Sequence, residues 1–146
     1  MPSKRSSARQ LADAPPEFLI DRSLGRLQLP KTLREAGLTV RALADVYGEA
    51  VAQETDDVTW ISRAAAEGWA VLCKDDRIRR RPAEREALTE GRLRAFCLMN
   101  ANLGFTEQAA YFMANRFRII QACAKPGPYL YGVYRDEIRK VWPPDS

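Results

Sequence analysis

Short apolar runs recur along the chain, and segments with helical spacing of apolar residues separate them. The runs typical of strands are EFLID (17–21), LTVRALA (38–44), WAVLCK (69–74) and RLRAFCLM (92–99). The third run is almost entirely apolar, which is typical of a strand buried on both faces of a sheet. The pattern therefore predicts four strands in the first two thirds of the chain.

The segments between these runs predict helices with recognisable ends. LPKTLREAG (29–37) places proline in the first turn and glycine just past the end. VTWISRAAAEG (58–68) follows Asp56 or Asp57, either of which is a good N-cap, and also ends in glycine. PAEREALTEG (82–91) predicts a third, shorter helix.

The second half of the chain predicts one long amphipathic helix and a terminal hairpin. The helix begins at Thr106 as its cap and runs through TEQAAYFMANRFRIIQACA (106–124). Its predicted inward residues are Ala109, Phe112, Met113, Phe117 and Ile120. PYLYGVYRDEIRKVW (128–142) alternates around a turn-like RDE, which predicts strands or a hairpin. By contrast, DVYGEAVAQET (45–55) has no strong period and predicts a loop.

Strands that alternate with helices predict an α/β fold with a mostly parallel central sheet and helices on both faces. Residues 1–15 are polar and end next to a Pro-Pro pair, so we expect a flexible N-terminal tail. Residues 16–146 are then a single domain. No apolar run approaches the length needed to span a bilayer or resembles the core of a signal peptide, so we expect a cytoplasmic protein.

Composition removes several kinds of chemistry. The 146 residues include no histidine, which excludes imidazole zinc sites and Ser-His or Cys-His nucleophile systems. Cys73, Cys97 and Cys123 are widely spaced and are expected to be buried free thiols. The net charge of +4 suits a nucleic-acid partner without requiring one.

Three aspartates are predicted to meet at one edge of the sheet. Asp21 follows the first strand, Asp75 follows the third, and Asp57 opens the helix between them. Parallel sheets bind ligands beyond the carboxyl ends of their strands. Gathered carboxylates repel one another unless a cation such as Mg²⁺ or Mn²⁺ neutralises them, and such a cation can activate water for phosphodiester hydrolysis.

Each of these acids also has an ordinary structural explanation. Asp21 could close the turn after its strand, and Asp57 could simply cap its helix. Asp75 and Asp76 could form surface ion pairs with the arginines that follow them. Those arginines are Arg77, Arg79, Arg80 and Arg81, which either belong to a solvated loop or contact phosphate oxygens.

At these residues the chain resembles the PIN-like domain family, and in particular its compact VapC-type toxin ribonucleases. The matching stretches are FLIDRSLGRLQLPKTLREAGLTV (18–40), DVTWISRAAAEGWAVLCKDDRI (57–78) and, more loosely, RAFCLMNANL (94–103). The resemblance implies a three-layer PIN-like fold and cleavage of RNA that depends on Mg²⁺ or Mn²⁺. It also implies inhibition by a cognate antitoxin of a type II toxin–antitoxin pair, and a homodimer.

The resemblance assigns roles to individual positions. Asp21, Asp57 and Asp75 match the family's catalytic metal ligands, and Glu54 and Asp76 are additional candidates for the metal. RNA-contacting candidates are Arg22, Arg77, Arg79, Arg80 and Arg81, and polar auxiliary candidates are Asn100 and Asn102. The chain departs from the family where Cys73 replaces the usual Thr or Ser, and where Asp45, Glu49 and Glu54 are all that is available for a further helical acid.

Two other functions fit the same sequence. A PIN-like module could bind RNA or a protein without cutting, which the reduced acidic set favours. A phosphoacceptor receiver domain is also doubly wound with aspartates at strand ends. It needs an acidic pair after the first strand, however, and Asp21 is followed by Arg22.

Overall fold

The computed structural model describes residues 15–24, 27–74, 77–100 and 102–144. The predicted N-terminal tail therefore lies outside the described residues, except for its last position. The strands are β1 (Glu17–Ile20), β2 (Thr39–Ala42), β3 (Ala70–Cys73), β4 (Arg94–Leu98), β5 (Tyr129–Val133) and β6 (Ile138–Trp142). The helices are α1 (Gln28–Glu35), α2 (Leu43–Tyr47), α3 (Glu49–Glu54), α4 (Asp57–Glu67), α5 (Arg77–Arg80), α6 (Pro82–Glu90) and α7 (Phe105–Cys123).

A single six-stranded sheet with the order β2-β1-β3-β4-β5-β6 forms the centre of the fold. The first five strands are parallel, and β6 pairs with β5 in the antiparallel direction. The strand order places β1 between β2 and β3, so the carboxyl ends of these strands are neighbours. The predicted α/β class with a mostly parallel sheet is confirmed, and so is the terminal hairpin.

Two apolar clusters cover the two faces of the sheet. On β1, Phe18 and Ile20 belong to one cluster, whereas Leu19 belongs to the other. The first cluster includes buried residues of α1 and α7, and the second includes buried residues of α2, α4 and α6. Because successive side chains of a strand point to opposite faces, this alternation produces the three layers that the resemblance implied.

The prediction of a loop over residues 45–55 is wrong, because this segment contributes to α2 and forms α3. Gly48 separates the two helices with a φ of 82°, a conformation that glycine adopts without strain. The Asp45 carboxylate accepts a hydrogen bond from the Ala42 backbone N–H at 2.9 Å, which stabilises the start of α2. Helices of five and six residues are too short to show a helical period, so tertiary packing decides them.

The long helix also differs from its prediction. It begins at Phe105 with Gly104 at the N-cap, and not at Thr106. Phe117, predicted to face inward, is 70% exposed. The buried stripe continues instead through Asn115 and Ile119, while Ala109 and Phe112 are buried as predicted. Met113 and Ile120 are half-buried.

Within the described residues, no helix is both long and apolar enough to cross a membrane. All three cysteines are buried, as predicted.

Candidate active site

Asp21 lies directly beyond the carboxyl end of β1. Its backbone N–H donates to the Leu72 carbonyl of the neighbouring β3 at 2.9 Å. The Ser23 hydroxyl donates to Asp21 Oδ2 at 2.7 Å. The side chain is thus held at the sheet edge where parallel folds bind their ligands.

Asp56 and Asp57 have different roles at the start of α4. Asp56 is the N-cap, and its Oδ1 accepts from the Thr59 backbone N–H at 2.7 Å. Asp57 is the first helical residue, so its carboxylate is available for other partners. Its Oδ1 accepts from the Trp60 indole N–H at 2.8 Å, which fixes the orientation of the carboxylate.

Arg22 connects the end of β1 to the segment that leads into α4. Its guanidinium donates to the carbonyls of Ala52 and Gln53, both at 3.1 Å, and to that of Thr55. These carbonyls belong to the last turn of α3 and the residue after it, where carbonyl groups lack helical partners. Arg22 therefore ties the Asp21 region to the approach to Asp57.

Glu84 on α6 faces Asp57, a placement that was not predicted from the sequence. Glu84 is 6% exposed. Arg81 lies against both acids: its Nη1 is 3.5 Å from Glu84 Oε1 and 3.7 Å from Asp57 Oδ2. The sequence held one signal for this placement, because Glu84 precedes Leu88, a core residue, by one helical turn.

The two facing carboxyls have pKa values shifted in opposite directions. Burial, together with a hydrogen bond to Asp57 and the charge of Asp57, raises the pKa of Glu84 to about 7. For Asp57, burial acts to raise the pKa, but hydrogen bonds to Glu84 and Trp60 and the charges of Arg22 and Arg81 lower it on balance. Glu84 is therefore the acid that keeps a proton as the pair titrates.

Comparison with known proteins places this arrangement in a family. The model of the family described as "PIN like domain" matches residues 16–100. The chain belongs to the PIN-like domain family. It is 37% identical over 124 residues to a protein of Mycobacterium tuberculosis (strain ATCC 25618 / H37Rv) called "Putative ribonuclease VapC45". That match covers 85% of this chain and 90% of the relative, so the resemblance to VapC-type PIN-like proteins is confirmed. No solved structure gives a significant match.

The remaining acids predicted for a PIN-like site are placed differently. Asp75 and Asp76 lie outside the described residues. Glu54 is the last residue of α3 and is exposed. Across the described part of the chain, no group of three or more His, Cys, Asp or Glu side chains is arranged to hold a metal ion.

Two of the described side chains are nevertheless donors of the type that a hard divalent cation takes. Asp21 and Asp57 supply carboxylate oxygens, which Mg²⁺ and Mn²⁺ prefer. Glu84 Oε2 is buried, and the Glu84 carboxyl group shares a hydrogen bond with that of Asp57. Cys73 contributes nothing to this set, because its thiol lies in the core at 2.7 Å from the thiol of Cys97.

The described arginines among those predicted to contact RNA have different surroundings. Arg81 lies beside Asp57, as described above. Arg79 donates to the Val141 carbonyl at 3.2 Å, and Arg80 is exposed. Only the backbone of Arg77 is described, within α5.

The two asparagines belong to the loop after β4. The Asn102 backbone N–H donates to Asn100 Oδ1 at 3.0 Å, and both residues are exposed. This contact is the ordinary loop-closing use of an asparagine side chain.

Proposed function

We propose that this protein is a ribonuclease that depends on Mg²⁺ or Mn²⁺ and serves as the toxin of a type II toxin–antitoxin pair. Asp21, Asp57 and Asp75 are its proposed catalytic metal ligands. One observation carries the proposal. Asp21 and Asp57 come from distant parts of the chain to the carboxyl side of a parallel sheet, in a family that includes a protein named as a ribonuclease.

The chain's own residues have definable tasks in this reaction. The bound cation would lower the pKa of a water molecule and neutralise charge on the phosphodiester. Ser23 and Trp60 hold the carboxylates of Asp21 and Asp57 in fixed orientations by hydrogen bonds. Such partners matter because they align metal-binding carboxylates before the metal arrives.

Arginines near the site are the proposed contacts to the RNA backbone. Arg81 is 52% exposed in its side chain and touches Asp57 only at long range, so it can turn towards a phosphate without losing a short ion pair. Arg77, Arg79 and Arg80 on α5 are further candidates. Arg22 is better explained as a positioning residue, because carbonyls of the 52–55 segment already engage its guanidinium.

We also propose binding partners, an oligomeric state and a cellular location for this protein. RNA is the substrate, a cognate antitoxin protein is the inhibitor, and the active form is a homodimer in the cytoplasm. The support is the match to a VapC-named relative over most of both chains. Co-expression with the protein encoded by an adjacent small reading frame, followed by purification of the pair, would test the antitoxin.

Cleavage of total bacterial RNA with Mn²⁺, and again with EDTA, tests the nuclease. We expect cleavage that EDTA abolishes and that D21N, D57N and D75N each reduce by roughly 100-fold or more, since even the outer partners of metal ligands contribute about 10- to 100-fold. D136N is the matched control, because Asp136 is exposed in the turn between β5 and β6.

Two results would contradict the assignment. Cleavage that persists in EDTA, or that is unchanged in both D21N and D57N, would place the activity elsewhere or in a contaminant. RNA binding that survives EDTA with no cleavage in Mn²⁺ would favour the second candidate, a PIN-like module that binds without cutting. The reduced set of acids, with Glu54 exposed at the end of α3, is the observation that supports this second candidate.

A further inference from the structure

We propose that an exposed apolar stripe of α7 binds the same stripe of a second copy of this chain, with the two helices antiparallel. The stripe consists of Ala110, Met113, Phe117 and Ile120. The inference rests on the proposed function only in that a homodimer is part of it, and it names the surface and the register of that homodimer. Its own support is the burial and the charge of α7.

Phe117 is the most exposed large apolar side chain among the described residues, at 70%. A single exposed apolar side chain is common and needs no explanation. Phe117, however, has apolar neighbours on the same side of the helix: Ala110 is exposed, and Met113 and Ile120 are half-buried. The apolar surface therefore extends along about three turns of α7, and a surface of this kind indicates a binding partner.

The spacing of the stripe is that of a helix that packs against another helix. Its residues follow one another at intervals of three, four and three positions, which is the a/d spacing of a helix–helix seam. Positions two residues apart lie about 200° apart around a helix, so Phe117 is directed away from the buried Asn115 and Ile119. α7 thus has apolar surfaces on opposite sides, and the described part of the chain buries one of them.

The charges of α7 favour a second copy as the partner. Glu107 lies in the first turn, Arg116 and Arg118 lie in the second half, and no other residue from 105 to 123 is charged. Two copies packed in parallel would align like charges, which opposes association. Antiparallel packing places the acidic start of each helix beside the basic half of the other, and it also sets the two helix dipoles in opposite directions.

One antiparallel register satisfies both the shape and the charge of the stripe. The Phe117 ring lies against Ala110 of the second copy, where a methyl side chain leaves room for it. Glu107 is then level with position 120 of the second copy, which is about 3 Å along the helix axis from Arg118. A two-fold axis repeats these contacts, so that one surface serves both copies.

Sedimentation velocity of the purified protein over a range of concentrations tests the surface. We expect the wild type to form a dimer and F117E to weaken association by about 30-fold or more, a loss typical of an aromatic side chain that anchors an interface. V51E is the matched control, because Val51 is 55% exposed on α3, which packs on the opposite face of the sheet. This variant should dimerise as the wild type does.

Charge reversal tests the register. E107R and R118E should each weaken dimerisation by about 5-fold or more, because each places like charges close together across the interface. The double variant E107R/R118E should recover most of this loss. Glu107 and Arg118 are about three turns apart on one helix and do not pair within one copy, so recovery reports a contact between copies. Two losses without recovery would overturn the antiparallel register.

Circular dichroism of the same variants separates association from folding. Because Phe117 is exposed, F117E should keep the helical spectrum of the wild type. If F117E does not fold, F117A decides the matter by the same sedimentation measurement, since it only shortens the exposed side chain.

The outcomes distinguish this inference from the proposed nuclease. A wild type that stays monomeric at every concentration would overturn the inference and the homodimer, while RNA cleavage by that monomer would leave the nuclease intact. A dimer that neither F117E nor F117A weakens uses another surface and also overturns the inference. If the wild type is monomeric and F117E abolishes binding of the protein encoded by the adjacent reading frame, the stripe belongs to that partner instead. A wild-type dimer that cleaves no RNA would oppose the nuclease and leave this inference standing.

Discussion

At the scale of the residue, two adjacent aspartates show how position on a helix decides the work of a side chain. Asp56 accepts the Thr59 N–H and closes the first turn of α4, whereas Asp57 presents its carboxylate to Trp60, Arg81 and Glu84. The sequence allowed either residue as the cap. The structure assigns the cap to Asp56, which leaves Asp57 available as the proposed ligand.

Substitutions of Asp56 and of Asp57 should therefore affect different properties, one the stability of the fold and the other the binding of Mn²⁺. We expect D56A to lower the melting temperature by a few degrees, because the first turn of α4 loses its cap, while Mn²⁺ affinity is retained. D57N should retain most of the stability and lose Mn²⁺ binding. Thermal denaturation and Mn²⁺ titration of both variants measure this. Loss of binding in D56A at unchanged stability would reverse the assignment.

At the scale of the element, α7 shows that the choice of buried residues on an amphipathic helix depends on the surface against which the helix packs. The sequence offers Phe112 and Phe117 as similar apolar residues on one amphipathic helix. Phe112 is 1% exposed and Phe117 is 70% exposed, because the stripe through Asn115 and Ile119 faces the sheet instead. Asn115 is tolerated there since its amide donates to the Tyr134 carbonyl at 2.7 Å.

Truncation of Phe112 and of Phe117 to alanine should lower the free energy of unfolding by very different amounts. F112A removes a buried ring and should lower the free energy of unfolding by about 3–5 kcal/mol. F117A removes an exposed ring that stacks on Arg116, and should cost less than about 1 kcal/mol. Urea denaturation of both variants provides the comparison. A large cost for F117A in the monomer would contradict the orientation of α7.

At the scale of the whole molecule, the candidate site draws on separated parts of the chain. Asp21 follows β1 and Asp57 begins α4, while Glu84 on α6 faces Asp57. Arg22 holds the first two parts together through the carbonyls of the 52–55 segment. Placing two carboxyl groups face to face also has a consequence for global stability, because Glu84 binds a proton more tightly in the folded state than in the unfolded state.

The stability of the metal-free protein should therefore depend on pH through Glu84. Its pKa rises from 4.5 in the unfolded chain to about 7 in the folded one, so the folded state binds more protons between these values. The contribution is fully present below about pH 4.5 and is lost as pH rises through about 7. Urea denaturation in EDTA at several pH values should show this decline in the wild type and a flatter profile in E84Q. Parallel profiles would contradict the shift.

Much of the fold followed from local patterns along the chain. Strands and the helices α1, α4, α6 and α7 are long or regular enough for their period, caps and terminal glycines to identify them. The helices α2 and α3 were missed because a helix of one or two turns has too few residues to show a period. Their stability comes from packing and from contacts such as that of Asp45, which is invisible in the pattern.

For the candidate site, the sequence by itself determined which chemistry was available: carboxylates without histidine, placed after strands of a parallel sheet. Only the tertiary structure decided which side chains meet. Glu84 and Glu86 are alike in the sequence, yet one faces Asp57 and the other is exposed. The sequence predicts Arg22 as an RNA contact, and only the structure shows that its guanidinium donates to the carbonyls of the 52–55 segment. Contacts between distant segments depend on how the helices pack on the sheet. The sequence pattern of one segment does not determine which other segment it will contact.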